Sequence, residues 1–133
     1  AGDIIIAASS ASFADTHGKF ALTPIWGMSQ RLPRRVGQWK AREISFTGLP
    51  VSGEEAARIG LANLCVADDA LEAKTAEIAT AIAAQSRHSV FAYKRLYQEQ
   101  ADLPLGAGLA YEVFNSAGVG PDMLARVTGQ FGK

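Results

Sequence analysis

The stretch that decides the fold runs from Pro24 to Gly37 and has the sequence PIWGMSQRLPRRVG. Its arginines recur at spacings that place them along one face of a helix between Trp26 and Val36. Pro33 predicts a kink or a new helix start within it, because proline cannot donate the helical hydrogen bond. A further helix is predicted from Gly37 to Phe46, ended by Gly48.

The residues before this stretch predict a buried strand followed by an irregular loop. Apolar residues are continuous from Ile4 to Ala8, which is typical of a strand buried on both faces. Residues 9–22 mix small and polar types and predict a loop that wraps a site. The chain opens on this strand without an initiator methionine or a signal region, so we interpret the sequence as part of a longer protein.

The residues after this stretch predict one short helix, one strand and then helices. Ser52 and Glu55 have capping-box spacing, in which the serine oxygen accepts the Glu55 amide and the glutamate reaches back to the Ser52 amide. The helix stops at Gly60, and an extended segment runs from Leu61 to Val66. Four later helices are predicted to begin near Asp68 and Asp69, at Ser86 or Ser89, at Pro104 and at Pro121. The predicted strands are too few to cover the apolar faces of these helices. We therefore expect a further part of the protein or a neighbouring subunit to cover them.

The composition is that of an ordinary soluble globular protein, with 48% apolar and 20% charged residues. Thirteen basic residues balance 13 acidic ones, so charge gives no case for a nucleic-acid or membrane partner. No apolar run approaches the roughly 18 residues of a membrane span. The single cysteine, Cys65, excludes an intrachain disulfide and a cysteine metal cluster, and a buried thiol fits a reducing, cytoplasmic compartment.

Three segments together resemble the enoyl-CoA hydratase/isomerase (crotonase) family. Residues 3–13 are similar to its C-D-I-x-x-A-x-x-x-A-x-F strand and turn, and residues 24–37 to its P-x-x-G-x-x-Q-R-L-x-R-x-V-G helix. Residues 47–66 follow its T-G-x-x-x-S/A-x-x-A-x-x-x-G-L-V pattern, with Ala62 in the place of the usual valine. The resemblance implies the α/β spiral fold of that family, of which this chain is a mostly helical C-terminal half with one or two strands. Residues 1–67 would end the core and carry an active-site loop, and residues 68–133 would form a helical oligomerisation region.

The resemblance also implies an activity and a set of partners. Family members bind an acyl-CoA thioester, in which coenzyme A is part of the substrate, and need no separate cofactor or metal. They form trimers or dimers of trimers. Two backbone N–H groups stabilise the enolate-like oxyanion, and both belong to segments upstream of Asp3. The family's hydratases use two glutamates, of which the first would precede Ala1 and the second aligns with His17.

His17 is therefore the candidate catalytic residue. An imidazole titrates near neutral pH and suits a general acid or base, and Asp15 is its expected partner because residues two apart on an extended loop point the same way. The alternative is a loop histidine without a catalytic role. Because an imidazole replaces a carboxylate, isomerase, hydrolase or other acyl-CoA lyase chemistry stays open beside hydration.

Other residues are weaker candidates. Trp26 either narrows the acyl pocket or packs under the following helix, and His88 is expected in a solvated position at a helix start. Late aromatic and basic residues are candidates for contact with the adenine end of CoA in a neighbouring subunit: Phe114, Phe131 and Lys133. A non-catalytic module that only trimerises remains the alternative to an enzyme.

Overall fold

The computed structural model describes residues 2–131, with side chains up to Gly129. Within this range the strands are β1 (Ile6–Ala8), β2 (Ser12–Phe13), β3 (Val51–Ser52) and β4 (Leu64–Val66). The α-helices are α1 (Met28–Val36), α2 (Gln38–Thr47), α3 (Gly53–Arg58), α4 (Leu71–Ala83), α5 (Arg87–Glu99), α6 (Leu105–Phe114) and α7 (Met123–Phe131). Two 3₁₀ turns, His17–Phe20 and Asp68–Ala70, complete the order. The mostly helical chain with few strands is confirmed; the two-residue strands β2 and β3 are additions to the prediction.

A chain of hydrogen bonds joins the three segments that define the sequence pattern. Strands β1 and β4 pair in parallel, with Ala7 opposite Cys65. The Asn63 side-chain oxygen accepts the Ile5 amide at 2.8 Å, and the Asn63 amide donates to the Ile5 carbonyl at 2.7 Å. Arg35, at the end of α1, donates to the same Asn63 oxygen at 2.6 Å. These contacts bring segments that are distant in the sequence together in the fold.

Arg35 also fixes α1 to the turn that precedes β4. Its Nε donates to the carbonyl oxygens of Gly60 and Leu61, each at 3.1 Å. A planar guanidinium can satisfy several acceptors at once, which a lysine at this position could not do in the same geometry.

Helices α1 and α2 follow each other with Gly37 between them. The helix α1 runs through Pro33 to Val36, and the next helix begins at Gln38, so a new helix start at the proline is wrong and the alternative, a kink, stays a prediction. The Gly37 amide donates to the Pro33 carbonyl at 2.9 Å, so the helical bonds resume after the proline, which lacks only its own donor. The predicted end of α2 at Gly48 is confirmed, since Gly48 has a φ of 59° that favours glycine.

Gly53 lies where backbone segments approach most closely. Strand β2 pairs antiparallel with β3, and the Gly53 amide donates to the Ala11 carbonyl at 2.8 Å. A Cβ at Gly53 would lie 2.2 Å from the Ala8 carbonyl oxygen and 3.2 Å from the Cys65 sulfur. Only glycine fits this approach without movement of the backbone.

The first predicted cap is correct in position and half correct in chemistry. The Ser52 hydroxyl accepts the Glu55 amide at 3.2 Å, as the capping box predicts. The Glu55 carboxylate instead accepts two bonds from Arg58, at 2.5 and 2.6 Å, because a guanidinium three residues later offers charged donors.

Two later caps also bond elsewhere. The Asp68 carboxylate accepts the Ser10 amide at 2.9 Å and the Ser9 hydroxyl at 3.0 Å, so it holds the loop after β1. Ser86 is the N-cap residue of α5, but its hydroxyl donates to Asp122 at 2.8 Å. In both cases a partner distant in sequence replaces the local helix amide.

The core of the first part of the chain is built mainly from small and branched residues. Its buried members are Ala7, Leu32, Ala41, Ile44, Val51, Ala56 and Ala62. In β1 only Ala7 is buried, and Ile4 before the strand is 44% exposed, so the expectation of a strand covered on both faces is wrong. The physical reason is that β4 alone pairs with β1 among the described residues. Cys65 is half-buried against this core.

The chain divides into two compact units, and the division falls between Ala76 and Glu77, inside α4. Within the second unit, Leu96 is the buried apolar side chain among the described residues. On α5 the rings of Tyr93 and Tyr97 stack with their centroids 5.8 Å apart. None of the described helices has the length and apolar character needed to cross a membrane.

Candidate active site

A cavity of about 480 Å³ lies in the first unit. Its walls come from three consecutive parts of the chain: residues 15–24, helix α1 and helix α2. Apolar side chains such as Leu22, Met28 and Phe46 share the wall with polar ones. A concave, largely apolar space with a few polar groups is the usual form of a small-molecule site.

Asp15 and His17 both line this cavity and bond to each other. The His17 Nδ1 lies 2.6 Å from the Asp15 Oδ1, and the His17 amide donates to the same oxygen at 3.1 Å. Asp15 is 5% exposed, and the His17 side chain is 19% exposed. The two residues are therefore held as one unit at the wall of the cavity.

The charge on Asp15 is stabilised despite its burial. Burial raises the pKa of Asp15, but hydrogen bonds from the His17 ring, the Ser45 hydroxyl and the His17 amide together lower it below its ordinary value of 3.8. Asp15 is therefore ionised at neutral pH. A carboxylate can only accept, so the proton that joins the pair resides on Nδ1 of His17.

This arrangement fixes how the imidazole can react. With Nδ1 protonated towards Asp15, Nε2 is the nitrogen that can accept or donate a proton. The carboxylate also stabilises a positive charge that forms on the ring when Nε2 takes up a proton. The geometry suits a general base or acid that acts through Nε2.

Helix α2 contributes a face that sequence reasoning missed. Its residues Gln38, Ala41, Arg42, Ser45 and Phe46 all line the cavity. Their spacing of three, four, seven and eight residues is one face of a helix, and polar side chains at these positions were the available signal. The contact between Ser45 and Asp15 depends on the tertiary fold and has no counterpart in the local sequence.

Trp26 lies beside His17 rather than in the cavity wall. The two ring centroids are 6.2 Å apart with a tilt of 52°. The indole is 77% exposed and is not among the side chains that line the cavity. Its predicted role in narrowing an acyl pocket stays a prediction.

The remaining candidates are not among the described side chains that line the cavity. His88 has its Nε2 3.2 Å from the Gly118 carbonyl oxygen in the second unit. Phe114 is 87% exposed at the end of α6. The side chain of Phe131 and all of Lys133 lie outside the described part of the chain, so their proposed contact with CoA stays a prediction. No group of three or more His, Cys, Asp or Glu side chains that could hold a metal occurs among the described residues.

Comparisons with known proteins agree with this architecture. The family model of enoyl-CoA hydratase/isomerase matches residues 1–118. The probable peroxisomal enoyl-CoA hydratase 1 of Arabidopsis thaliana is 38% identical over 110 residues, which are 83% of this chain and 42% of the relative. The short-chain-enoyl-CoA hydratase of Clostridioides difficile is 36% identical over 110 residues, 83% of this chain and 71% of the relative.

A solved structure extends the match to nearly the whole chain. The enoyl-CoA hydratase from Bacillus anthracis superposes with a TM-score of 0.91 at 34% identity, over 98% of this chain and 52% of that one. The chain spans about half the length of several of the proteins it matches, for example 42%, 48% and 52% of three of them. On the family match and these identities, the chain belongs to the enoyl-CoA hydratase/isomerase family.

Proposed function

We propose that the full-length protein that contains this chain binds an acyl-CoA thioester and adds water across the double bond of a 2-enoyl-CoA. The observation that carries the proposal is the Asp15–His17 pair in the wall of the cavity. The printed names of the relatives, which are enoyl-CoA hydratases, support the substrate class. His17 occupies the position that the family resemblance gives to the second glutamate.

In this proposal His17 handles the proton at the α-carbon of the substrate. Hydration places the oxygen of water on the β-carbon and one proton on the α-carbon. The doubly protonated ring of His17 donates that proton from Nε2 and becomes neutral, with Nδ1 still held by Asp15. The proton that the attacking water loses goes to the group that activates the water. The group that activates the water, and the N–H groups that bind the thioester oxygen, belong by resemblance to segments before Asp3.

The direct test is an assay of crotonyl-CoA hydration by the full-length protein. The reaction is monitored by the loss of absorbance of the conjugated enoyl thioester. We expect His17→Ala to lower kcat by about 10²- to 10⁴-fold, the range for a general acid or base. The affinity for butyryl-CoA, an unreactive analogue, should change little. His88→Ala is the matched control, because it removes the same side chain outside the cavity. Turnover by His17→Ala close to that of the wild type would remove His17 from the mechanism.

A second candidate function is isomerisation or hydrolysis of an acyl-CoA. The observation that favours it is the imidazole itself, because a neutral imidazole offers one hydrogen-bond donor and one acceptor where an ionised carboxylate only accepts. Mass spectrometry of the products separates the three reactions. Hydration adds one water, isomerisation leaves the mass unchanged, and hydrolysis releases free CoA.

We also propose that the full-length protein is a cytoplasmic homotrimer or dimer of trimers. Many large apolar side chains are exposed in this chain, among them Trp39 at 79% and Leu105 at 79%. Such surfaces are commonly covered in an assembly. Sedimentation of the full-length protein as a monomer would contradict the proposal.

A protein that assembles but neither binds nor converts acyl-CoA would instead be the non-catalytic module.

A further inference from the structure

The guanidinium of Arg42 is the feature of the cavity that the proposed reaction does not use. Arg42 lines the same cavity as Asp15 and His17. The Asp15 carboxylate is already hydrogen-bonded to His17 and interacts with Ser45. Among the described residues, no carboxylate forms an ion pair with Arg42, so its guanidinium is the charged group of this wall without a partner of opposite charge.

The contacts of Arg42 hold it without occupying its donors. Its guanidinium carbon lies 4.9 Å from the centroid of the Trp39 ring. Where a guanidinium stacks on an aromatic ring through its face, its N–H groups stay free to donate in the plane. These donors match the two oxygens of a carboxylate or the oxygens of a phosphate.

The position of Arg42 relates it to the reacting group. Arg42 precedes Ser45 by three residues on one face of α2, where side chains are about 5–6 Å apart at Cβ. Ser45 in turn bonds to Asp15, which holds His17. Arg42 therefore lies one helical turn from Ser45, and both line the same cavity as Asp15 and His17.

We propose that Arg42 binds an anionic group at the far end of the acyl chain, so that the site prefers an acyl-CoA whose acyl group ends in a carboxylate. The inference rests on the proposed function only in that the acyl chain enters this cavity. A phosphate of CoA has the same chemistry as a ligand for a guanidinium. The acyl carboxylate is favoured because Arg42 shares its wall with His17, where the acyl group must react.

The test compares two saturated, unreactive ligands of equal chain length with the full-length protein. Isothermal titration calorimetry measures Kd for glutaryl-CoA, which ends in a carboxylate, and for pentanoyl-CoA, which does not. We expect the wild type to prefer glutaryl-CoA. Arg42→Met should lower the preference, defined as the affinity for glutaryl-CoA divided by that for pentanoyl-CoA, by about tenfold or more, as expected for loss of a charge-assisted hydrogen bond. The preference of Arg42→Lys should lie between those of the wild type and Arg42→Met, because lysine keeps the charge and loses the paired N–H donors of the guanidinium.

A matched control and a third ligand separate the outcomes. Arg34→Met makes the same change on α1, outside the cavity wall, and should leave the ratio as in the wild type. Pentanoyl-pantetheine lacks the nucleotide phosphates of CoA. If Arg42→Met weakens both CoA ligands equally and leaves pentanoyl-pantetheine unchanged, Arg42 binds a phosphate and the inference is overturned. An unchanged ratio, or no binding of any ligand by the wild type, also overturns it.

These results are independent of the test of hydration. A preference for glutaryl-CoA that depends on Arg42, in a protein that does not hydrate crotonyl-CoA, would retain the inference and remove the proposed reaction. Hydration of crotonyl-CoA by a protein without that preference would retain the proposed reaction and remove the inference about Arg42.

Discussion

Replacement of Asp15 by asparagine isolates the charge of the buried carboxylate. Both His17 donors reach the same oxygen of Asp15, at 2.6 and 3.1 Å. An asparagine with its carbonyl oxygen in that position keeps both hydrogen bonds and most of the shape. What it loses is the negative charge that strengthens them.

The expected cost follows from the difference between charged and neutral hydrogen bonds. A bond to a charged group contributes about 1.5–3 kcal/mol and a neutral one about 1 kcal/mol. Release of the desolvation cost of the buried charge offsets part of that loss. We expect Asp15→Asn to lower the free energy of unfolding of the full-length protein by about 1–2 kcal/mol at pH 7.

The difference should depend on pH in a defined direction. The pKa of Asp15 in the folded protein lies below its ordinary value of 3.8, so its charge stabilises the fold above that value. The stabilisation is lost as pH falls from 3.8 through the lowered folded pKa. The gap between wild type and Asp15→Asn should therefore be constant from pH 7 to about 5 and close below about 4.

Urea unfolding at several pH values measures this gap. Asp69→Asn is the control, because Asp69 is exposed and the same change there should alter stability by less than about 0.5 kcal/mol. If Asp15→Asn unfolds at the wild-type urea concentration at pH 7, the carboxylate does not stabilise the fold as argued. A gap that widens below pH 4 would reverse the sign of the reasoning.

Two further substitutions test the packing that supports the site. Gly53→Ala should destabilise the protein by about 2 kcal/mol or more, because its Cβ would lie 2.2 Å from the Ala8 carbonyl oxygen. Urea unfolding compares this variant with Gly18→Ala, in which the added Cβ would meet no other atom within 4 Å. Equal urea midpoints for the two variants would contradict the clash. Arg35→Met should cost about 0.5–1.5 kcal/mol, because it removes the donor to the carbonyls of Gly60 and Leu61, which water can partly replace. Hydrogen exchange should then speed up at the Asn63 amide, and protection equal to that of Arg34→Met would refute the link.

The sequence predicts those parts of the fold whose causes are local. The end of α2 at Gly48 and the Ser52 cap of α3 follow from residues a few positions apart. The pairing of Asp15 with His17 is also local, since two residues separate them on a loop. These features require no knowledge of the rest of the chain.

Contacts between distant segments decide the features that the sequence does not predict. Asp68 bonds to Ser10 instead of a helix amide because β1 and β4 pair and bring the two residues together. Ser45 reaches Asp15 only because α2 packs beside the loop before α1. Exposure of Ile4 could not be predicted either, because a continuous apolar run does not specify how many strands will cover it.

Leu32 and Ala41 belong both to the buried core and to the wall of the cavity. A larger side chain at either position would reshape the cavity but would also overpack the core. Changes in the shape and charge of this cavity are therefore easiest at Arg42 and Phe46, which line it from exposed positions. Variation of the cavity wall is thereby directed to exposed positions of one helix, where a new residue carries little cost in stability.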